Sequence, residues 1–227
     1  MGKSKDKTVI AVVLLVFVVA ALASASRNST LRSTLNGLFM VIEKPVIYLY
    51  PPRDTIVDVR LDVDGRITVT DPPLDSTQSW HVLAAPSGNL VDLGSGQRAP
   101  YLFWEADMGF ALDMSSGTVV KGRDTRVFLR DVLAERGLNS SEAASFIEYW
   151  APRMEPHAYN LVHFEGSGYE RAARLHVVPE PDTKIRVFMA YQPLSEWVFV
   201  QPQRPPDPPT REGFVLVEWG GTEVPTK

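Results

Sequence analysis

The chain has 227 residues, a formal net charge of −4 and no cysteine. Without cysteine, thiol catalysis, cysteine-based zinc fingers and iron–sulfur clusters are excluded. The acidic balance, with no basic stripe beyond the first residues, argues against nucleic-acid binding.

Three N-terminal segments predict where the protein works. Residues 1–7 form a basic head, residues 8–25 an uncharged apolar run, and residues 26–37 a Ser/Thr-rich tether. The run reaches the roughly 18 residues needed to span hydrocarbon, and Ala23–Ala25 resembles a signal-peptide cleavage site. The pattern therefore predicts a single-pass anchor with the C-terminal domain outside the cytoplasm, or a secreted protein if the segment is cleaved. The predicted membrane partner is bound through residues 8–25.

Residues 38–227 are enough for a single buried domain, which begins with β-rich sequence. Residues 39–50 predict a strand, or a strand pair broken near Lys44-Pro45. Residues 56–63 and 66–70 alternate apolar and polar side chains around Asp64-Gly65. This pattern predicts a tight β-hairpin, because both central residues of a type I′ turn need positive φ. Further short strands are predicted at 80–83, 101–104 and 118–120.

Two consecutive helices are predicted next. Asp124 is placed to cap a helix over 125–136, which Gly137 ends. Asn139 and Glu142 form a capping-box pattern at the start of the second helix. Pro152 is expected to end that helix, because the residue before proline disfavours helical backbone.

Strands are predicted again at 159–164, 174–178, 185–191 and 213–219, with another at 197–200 and an extended proline-rich segment over 201–210. Strands, then two helices, then strands are typical of an α+β domain with a largely antiparallel sheet.

Four separated strings occur in one order: Lys44–Pro51, Tyr101–Glu105, Tyr149–Glu155 and Glu218–Gly221. The set resembles an uncharacterised, mostly bacterial family of exported proteins with a Lys-Pro-Val-Ile-Tyr-Leu-Tyr-Pro box. The resemblance covers residues 43–221 and implies an exported domain, but no activity and no catalytic residue. The chain departs from the family pattern at Pro52, where that family has an acidic residue, and at Ser79-Trp80, where it has Gly-Trp.

The candidate binding residues combine aromatic rings with charged groups. They are Trp104, Glu105, Tyr149, Trp150, Arg153, Glu155, Glu218 and Trp219. Carboxylates beside aromatic platforms are what a glycan-cleaving site needs, with one group as acid and the other as base or nucleophile. The alternative is structural: tryptophans fill the core while glutamates pair with arginines. Arg153 and Glu155 could likewise fix the turn after Pro152 rather than bind a ligand.

The four histidines raise the question of a metal site. His163 and His176 would face each other if residues 166–173 formed a hairpin loop, and Glu165 is near in sequence. No third ligand is evident, so neither a metal nor any other cofactor is predicted.

The sequence thus predicts a membrane-anchored or secreted domain with a non-catalytic binding or structural role in the cell envelope, where it would bind a glycan or another protein. The alternative is a hydrolase acting on envelope polysaccharide, with Glu105 and Glu155 as the carboxylate pair.

Overall fold

A computed structural model describes residues 40–109, 112–204, 207 and 209–226. The predicted basic head, apolar run and tether lie outside these residues. Within the described part of the chain, no helix combines the length and apolar character needed to cross a membrane.

The described residues form twelve strands and three helices. The strands are β1 (Met40–Tyr50), β2 (Thr55–Val63), β3 (Gly65–Asp71), β4 (Ser79–Ala84), β5 (Leu90–Asp92), β6 (Arg98–Ala99), β7 (Leu102–Met108), β8 (Thr118–Lys121), β9 (Tyr159–Glu165), β10 (Ala173–Val178), β11 (Thr183–Leu194) and β12 (Val215–Glu223). The helices are α1 (Thr125–Glu135), α2 (Ser140–Met154) and α3 (Ser167–Ala172), and a 3₁₀ turn at Gly122–Asp124 leads into α1.

The strands form two sheets, of seven strands in the order β3-β7-β1-β12-β11-β9-β8 and of five in the order β10-β2-β4-β5-β6. Antiparallel pairs dominate, while β11 and β12 run parallel. The predicted α+β class with a largely antiparallel sheet is therefore confirmed.

Helices α1 and α2 cover one face of the seven-stranded sheet. Alternate residues of β12, Val215, Val217 and Trp219, belong to the same buried cluster as Leu129 of α1 and Phe146 of α2. Successive side chains of a strand point to opposite faces, so the residues between them lie on the other side of the sheet.

That second face is also buried. Leu216 and Glu218 of β12 are 1% and 0% exposed. In the five-stranded sheet, Val57 and Val59 of β2 are fully buried, whereas Arg60 is exposed. This alternation shows that the five-stranded sheet has one buried and one wet face, as is usual for antiparallel sheets.

The predicted hairpin at Asp64-Gly65 is wrong, although both of its strands form. β2 pairs with β4 and β10 of one sheet, while β3 pairs with β7 of the other. Gly65 does not adopt positive φ. Its role is close packing, because an added Cβ would lie 2.2 Å from the carbonyl oxygen of Asp107 on β7.

The helix predictions are partly confirmed. The Asn139 side chain accepts from the N–H groups of Ser141 and Glu142, and Glu142 accepts from the Asn139 N–H, completing the capping box. By contrast, Asp124 makes no side-chain capping bond. Pro152 does not end α2, which continues to Met154. Met154 is fully buried, so tertiary packing holds the last turn helical despite the missing proline N–H.

Two predicted β features are absent from the described residues. Residues 197–200 form no strand, and only Gln201 makes an isolated bridge, to Ser116. Residues 166–173 do not form a hairpin loop, since most of them are in α3 and the strands on either side belong to different sheets.

Candidate functional site

Residues from all four motifs meet on the helix-covered side of the seven-stranded sheet. They line a cavity of about 330 Å³, which we call the Lys44 pocket. Its lining residues are Lys44, Tyr48, Tyr101, Ser145, Glu148, Tyr149, Arg153 and Trp219. Strand β1 supplies the first motif, α2 the third and β12 the fourth, while Tyr101 lies directly before β7. The tertiary fold thus assembles one surface from segments that are far apart in sequence.

Lys44 has the most unusual backbone at this surface. Its φ is +56°, and the pairing of β1 with β12 is irregular between Glu43 and Val46. Positive φ is uncommon for residues other than glycine and carries a cost in backbone strain. The following Pro45 has no N–H to donate, which fits a local break in the strand ladder.

The Lys44 ammonium lies among three aromatic rings. Its Nζ is 4.7 Å from the ring centre of Phe103, 5.2 Å from that of Tyr101 and 6.0 Å from that of Tyr149. It also lies 3.4 Å from the Tyr101 hydroxyl oxygen. A cation is attracted to the electron-rich face of such rings. Lys44 forms no ion pair with a described carboxylate, so the rings provide its main interactions.

A partly buried carboxylate lies beside these rings. The Tyr149 hydroxyl donates to Glu43 at 3.3 Å, and the Arg153 guanidinium stacks 3.7 Å from the centre of the Tyr149 ring. Burial raises the pKa of Glu43 above its usual value, and the nearby negative charges of Glu105 and Glu223 act in the same direction. The Tyr149 hydrogen bond and the Arg153 charge oppose this rise without cancelling it.

The Gly220-Gly221 pair lets other elements approach β12. A Cβ on Gly220 would lie 3.0 Å from Cα of Pro45. A Cβ on Gly221 would lie 2.5 Å from the Met189 carbonyl oxygen and 2.8 Å from the Trp150 ring. This part of the fourth motif therefore serves packing around the pocket.

The predicted site residues separate into four groups. Glu105, Tyr149 and Arg153 lie at or beside the Lys44 pocket. Trp150 and Trp219 are 0% and 1% exposed, so they belong mainly to the core, although Trp219 also lines the pocket.

Trp104 and Glu218 lie together on the opposite, buried face of the sheet, where the indole Nε1 donates to Glu218 at 3.1 Å. Arg186 of β11 donates to the second Glu218 oxygen at 2.6 Å. The Glu218 carboxylate is fully buried, and the Arg186 side chain is 9% exposed. These residues have a structural role, as a buried charge needs a partner and further hydrogen bonds.

Glu155 belongs to a different part of the surface. Its carboxylate accepts from Arg126 of α1 at 2.7 Å, and this pair ties the end of α2 to the start of α1. The charge of Glu105 acts instead on Glu43, where it helps to raise the pKa of that carboxyl.

The histidine pair predicted from sequence does not form, because His163 is on β9 and His176 is on β10 of the other sheet. His163 Nδ1 lies 2.9 Å from the Ser116 carbonyl, and its Nε2 lies 3.3 Å from Glu165. Among the described residues there is no group of three potential ligands placed to hold a metal ion.

Sequence reasoning missed Glu43, Lys44, Tyr101 and Phe103 as site residues. Lys44 was visible as the first residue of a motif, but neither its positive φ nor its distant aromatic neighbours can be read from local sequence. Phe103 gives no local signal of a site, because an aromatic residue within a strand normally indicates core.

The chain is similar to one protein of Butyrivibrio fibrisolvens, described as "Uncharacterized protein in bglA 3'region". The two are 42% identical over 65 residues, which is 28% of this chain and 66% of the relative. No protein-family profile matches the chain, and no solved structure matches it either. The resemblance to the exported family stays a prediction.

Proposed function

We propose that this domain binds a saccharide of the cell envelope, without catalysis, at the Lys44 pocket. The observation that carries the proposal is the meeting of three aromatic rings, two cations and an open cavity in one place, built from all four motifs. Catalytic residues need not be invoked to explain this arrangement.

The chemistry of the pocket suits a sugar ring. Aromatic rings offer apolar faces to the C–H groups of a sugar, and Tyr101 and Tyr149 add hydroxyls that can exchange hydrogen bonds. Ser145, Glu148 and Arg153 line the same cavity and can pair with sugar hydroxyls. Its volume of about 330 Å³ falls in the range of small-ligand sites.

The envelope location rests on the sequence. The basic head and the apolar run of residues 8–25 predict export, and the acidic, cysteine-free domain is compatible with an extracytoplasmic position. On this proposal the protein is anchored by residues 8–25, or secreted after cleavage, and its ligand pocket faces envelope glycans.

The test is titration of the purified full chain with oligosaccharides prepared from envelope polysaccharide, followed by isothermal calorimetry. Tyr101→Ala and Tyr149→Ala should each weaken binding about tenfold or more, because each removes a ring that lines the pocket. Phe199→Ala is the matched control, since Phe199 is 71% exposed and does not line the pocket. Equal affinity in all four proteins, or no saturable binding to wild type, would overturn the proposal.

A second candidate function is hydrolysis of the same polysaccharide, with Glu43 rather than Glu155 accompanying Glu105. Burial raises the pKa of Glu43, and a raised carboxyl pKa is what a general acid needs near neutral pH. Reducing-end release by the wild type, lost in Glu43→Gln while binding is retained, would favour the enzyme. If both proteins bind the polysaccharide and neither releases reducing ends, only the binding function is supported.

A further inference from the structure

Arg136 is a buried cation at the end of α1, away from the Lys44 pocket. It is 9% exposed, and its guanidinium stacks 3.9 Å from the ring centre of Phe164 on β9. Its Nη1 donates to the carbonyl of Val132 at 3.1 Å. Burial lowers the pKa of Arg136 to about 10, because the charged form has lost much of its hydration.

This guanidinium forms no salt bridge with a described residue, although the negative charge of the neighbouring Glu135 opposes the fall in its pKa. Its one protein hydrogen bond there goes through Nη1, which leaves Nε and Nη2 without a described partner. The carbonyl of Val132 and the negative end of α1 compensate part of the charge. Buried arginines normally face a carboxylate or phosphate, because an uncompensated buried charge is unfavourable.

Arg136 lines a cavity of about 430 Å³ together with Phe164, Ile185, Gln203 and Pro209. The cavity forms where β9 stops. The pairing of β11 with β9 begins at Phe188, so the preceding residues of β11 have no β9 neighbour and border the cavity. A smaller cavity of about 210 Å³ shares Arg136, Phe164 and Gln203. Within the described part of the chain, open space therefore borders the guanidinium.

The other charged lining groups limit what could fit. Arg186 is neutralised by Glu218, Lys184 pairs with Glu180, and Glu165 lies 3.3 Å from His163. Arg204, Glu170 and Asp207 complete the charged lining. Because the three carboxylates of Glu165, Glu170 and Asp207 line the cavity, a single negative charge on the ligand is favoured over a double one.

We propose that this cavity binds a small monoanionic carboxylate with an apolar body. The carboxylate accepts from the free edge of the Arg136 guanidinium, whose planar fork matches a carboxylate. The apolar body lies against Ile185 and Pro209. This site is separate from the Lys44 pocket and does not depend on saccharide binding.

The experiment titrates the full chain with benzoate, and follows the Arg side-chain Nε–H signals by NMR. Benzyl alcohol is the neutral analogue, and phenyl phosphate tests whether a dianion is accepted. We expect saturable millimolar binding of benzoate with a shift in one Arg signal, binding of phenyl phosphate at least about tenfold weaker, and no binding of benzyl alcohol.

Variants test whether Arg136 binds the carboxylate. Arg136→Met should abolish benzoate binding, and Arg136→Lys should weaken it about tenfold, because a lysine cannot present two parallel donors. Arg123→Met is the matched control, since the Arg123 side chain is 76% exposed. If Arg136→Met fails to fold, Gln203→Ala reports on the cavity with the guanidinium intact, and the proposal requires that it alter benzoate affinity. Unsaturable binding, or equal affinity in Arg136→Lys and wild type, overturns it.

Discussion

Replacing Glu218 with glutamine should strongly destabilise the domain. The substitution removes one negative charge from the centre of the seven-stranded sheet while preserving the side-chain size. The amide oxygen can still accept from Trp104, so the main loss is the charge that faces Arg186.

The magnitude follows from burial. Glu218 is fully buried and the Arg186 side chain is 9% exposed, so the remaining cation would have little solvent to compensate it. Removing one partner of a buried pair typically costs about 3–5 kcal/mol. Because domains of this kind are stable by about 5–15 kcal/mol, that loss is a large fraction of the total.

Urea unfolding followed by circular dichroism measures the effect. Glu180→Gln is the control. Glu180 pairs with Lys184, which lies on β11 as Arg186 does, and the Glu180 side chain is 80% exposed. That exposed pair should contribute about 1 kcal/mol or less. The double variant Glu218→Gln with Arg186→Met removes both buried charges. Its loss of unfolding free energy should be smaller than the sum of the losses in the two single variants by about 2 kcal/mol or more.

If Glu218→Gln unfolds at the same urea concentration as Glu180→Gln, the stability of the domain does not depend on the negative charge of Glu218. Strict additivity in the double variant would contradict the argument equally, since it would show that the two groups do not interact.

Three further outcomes are expected. Gly221→Ala should destabilise by about 1–3 kcal/mol, because its Cβ would overlap a backbone oxygen and the Trp150 ring, whereas Gly94→Ala should change unfolding by less than about 0.5 kcal/mol. The pKa of Glu43 is raised in the folded state, so the unfolded chain releases this proton at lower pH. The stability of the wild type should therefore fall relative to that of Glu43→Gln as pH rises from 4 to 7. If the melting temperatures of the two proteins change in parallel over that interval, the prediction is refuted. Asn139→Ala should cost about 1 kcal/mol in urea unfolding by removing the helix cap, and a loss below about 0.3 kcal/mol would show that the cap is dispensable.

Local patterns were sufficient to locate most elements of the fold. The alternation in residues 56–63 predicted β2, and the spacing of Asn139 and Glu142 predicted the start of α2, because both depend on contacts between residues close in sequence. Glu218 shows the limit: its place in a motif marked it as notable, but its burial depends on Arg186 and Trp104, which come from other strands.

Only the tertiary structure decided which strands pair and which side chains meet. β2 and β3 are adjacent in the chain yet join different sheets, because pairing depends on long-range burial that a period-two pattern does not encode. Lys44 meets Phe103 and Tyr149 through the same long-range packing. The sequence by itself determined the α+β class, the two main helices and the position of most strands, whereas the Lys44 pocket and the Arg136 cavity exist only once distant segments have packed together.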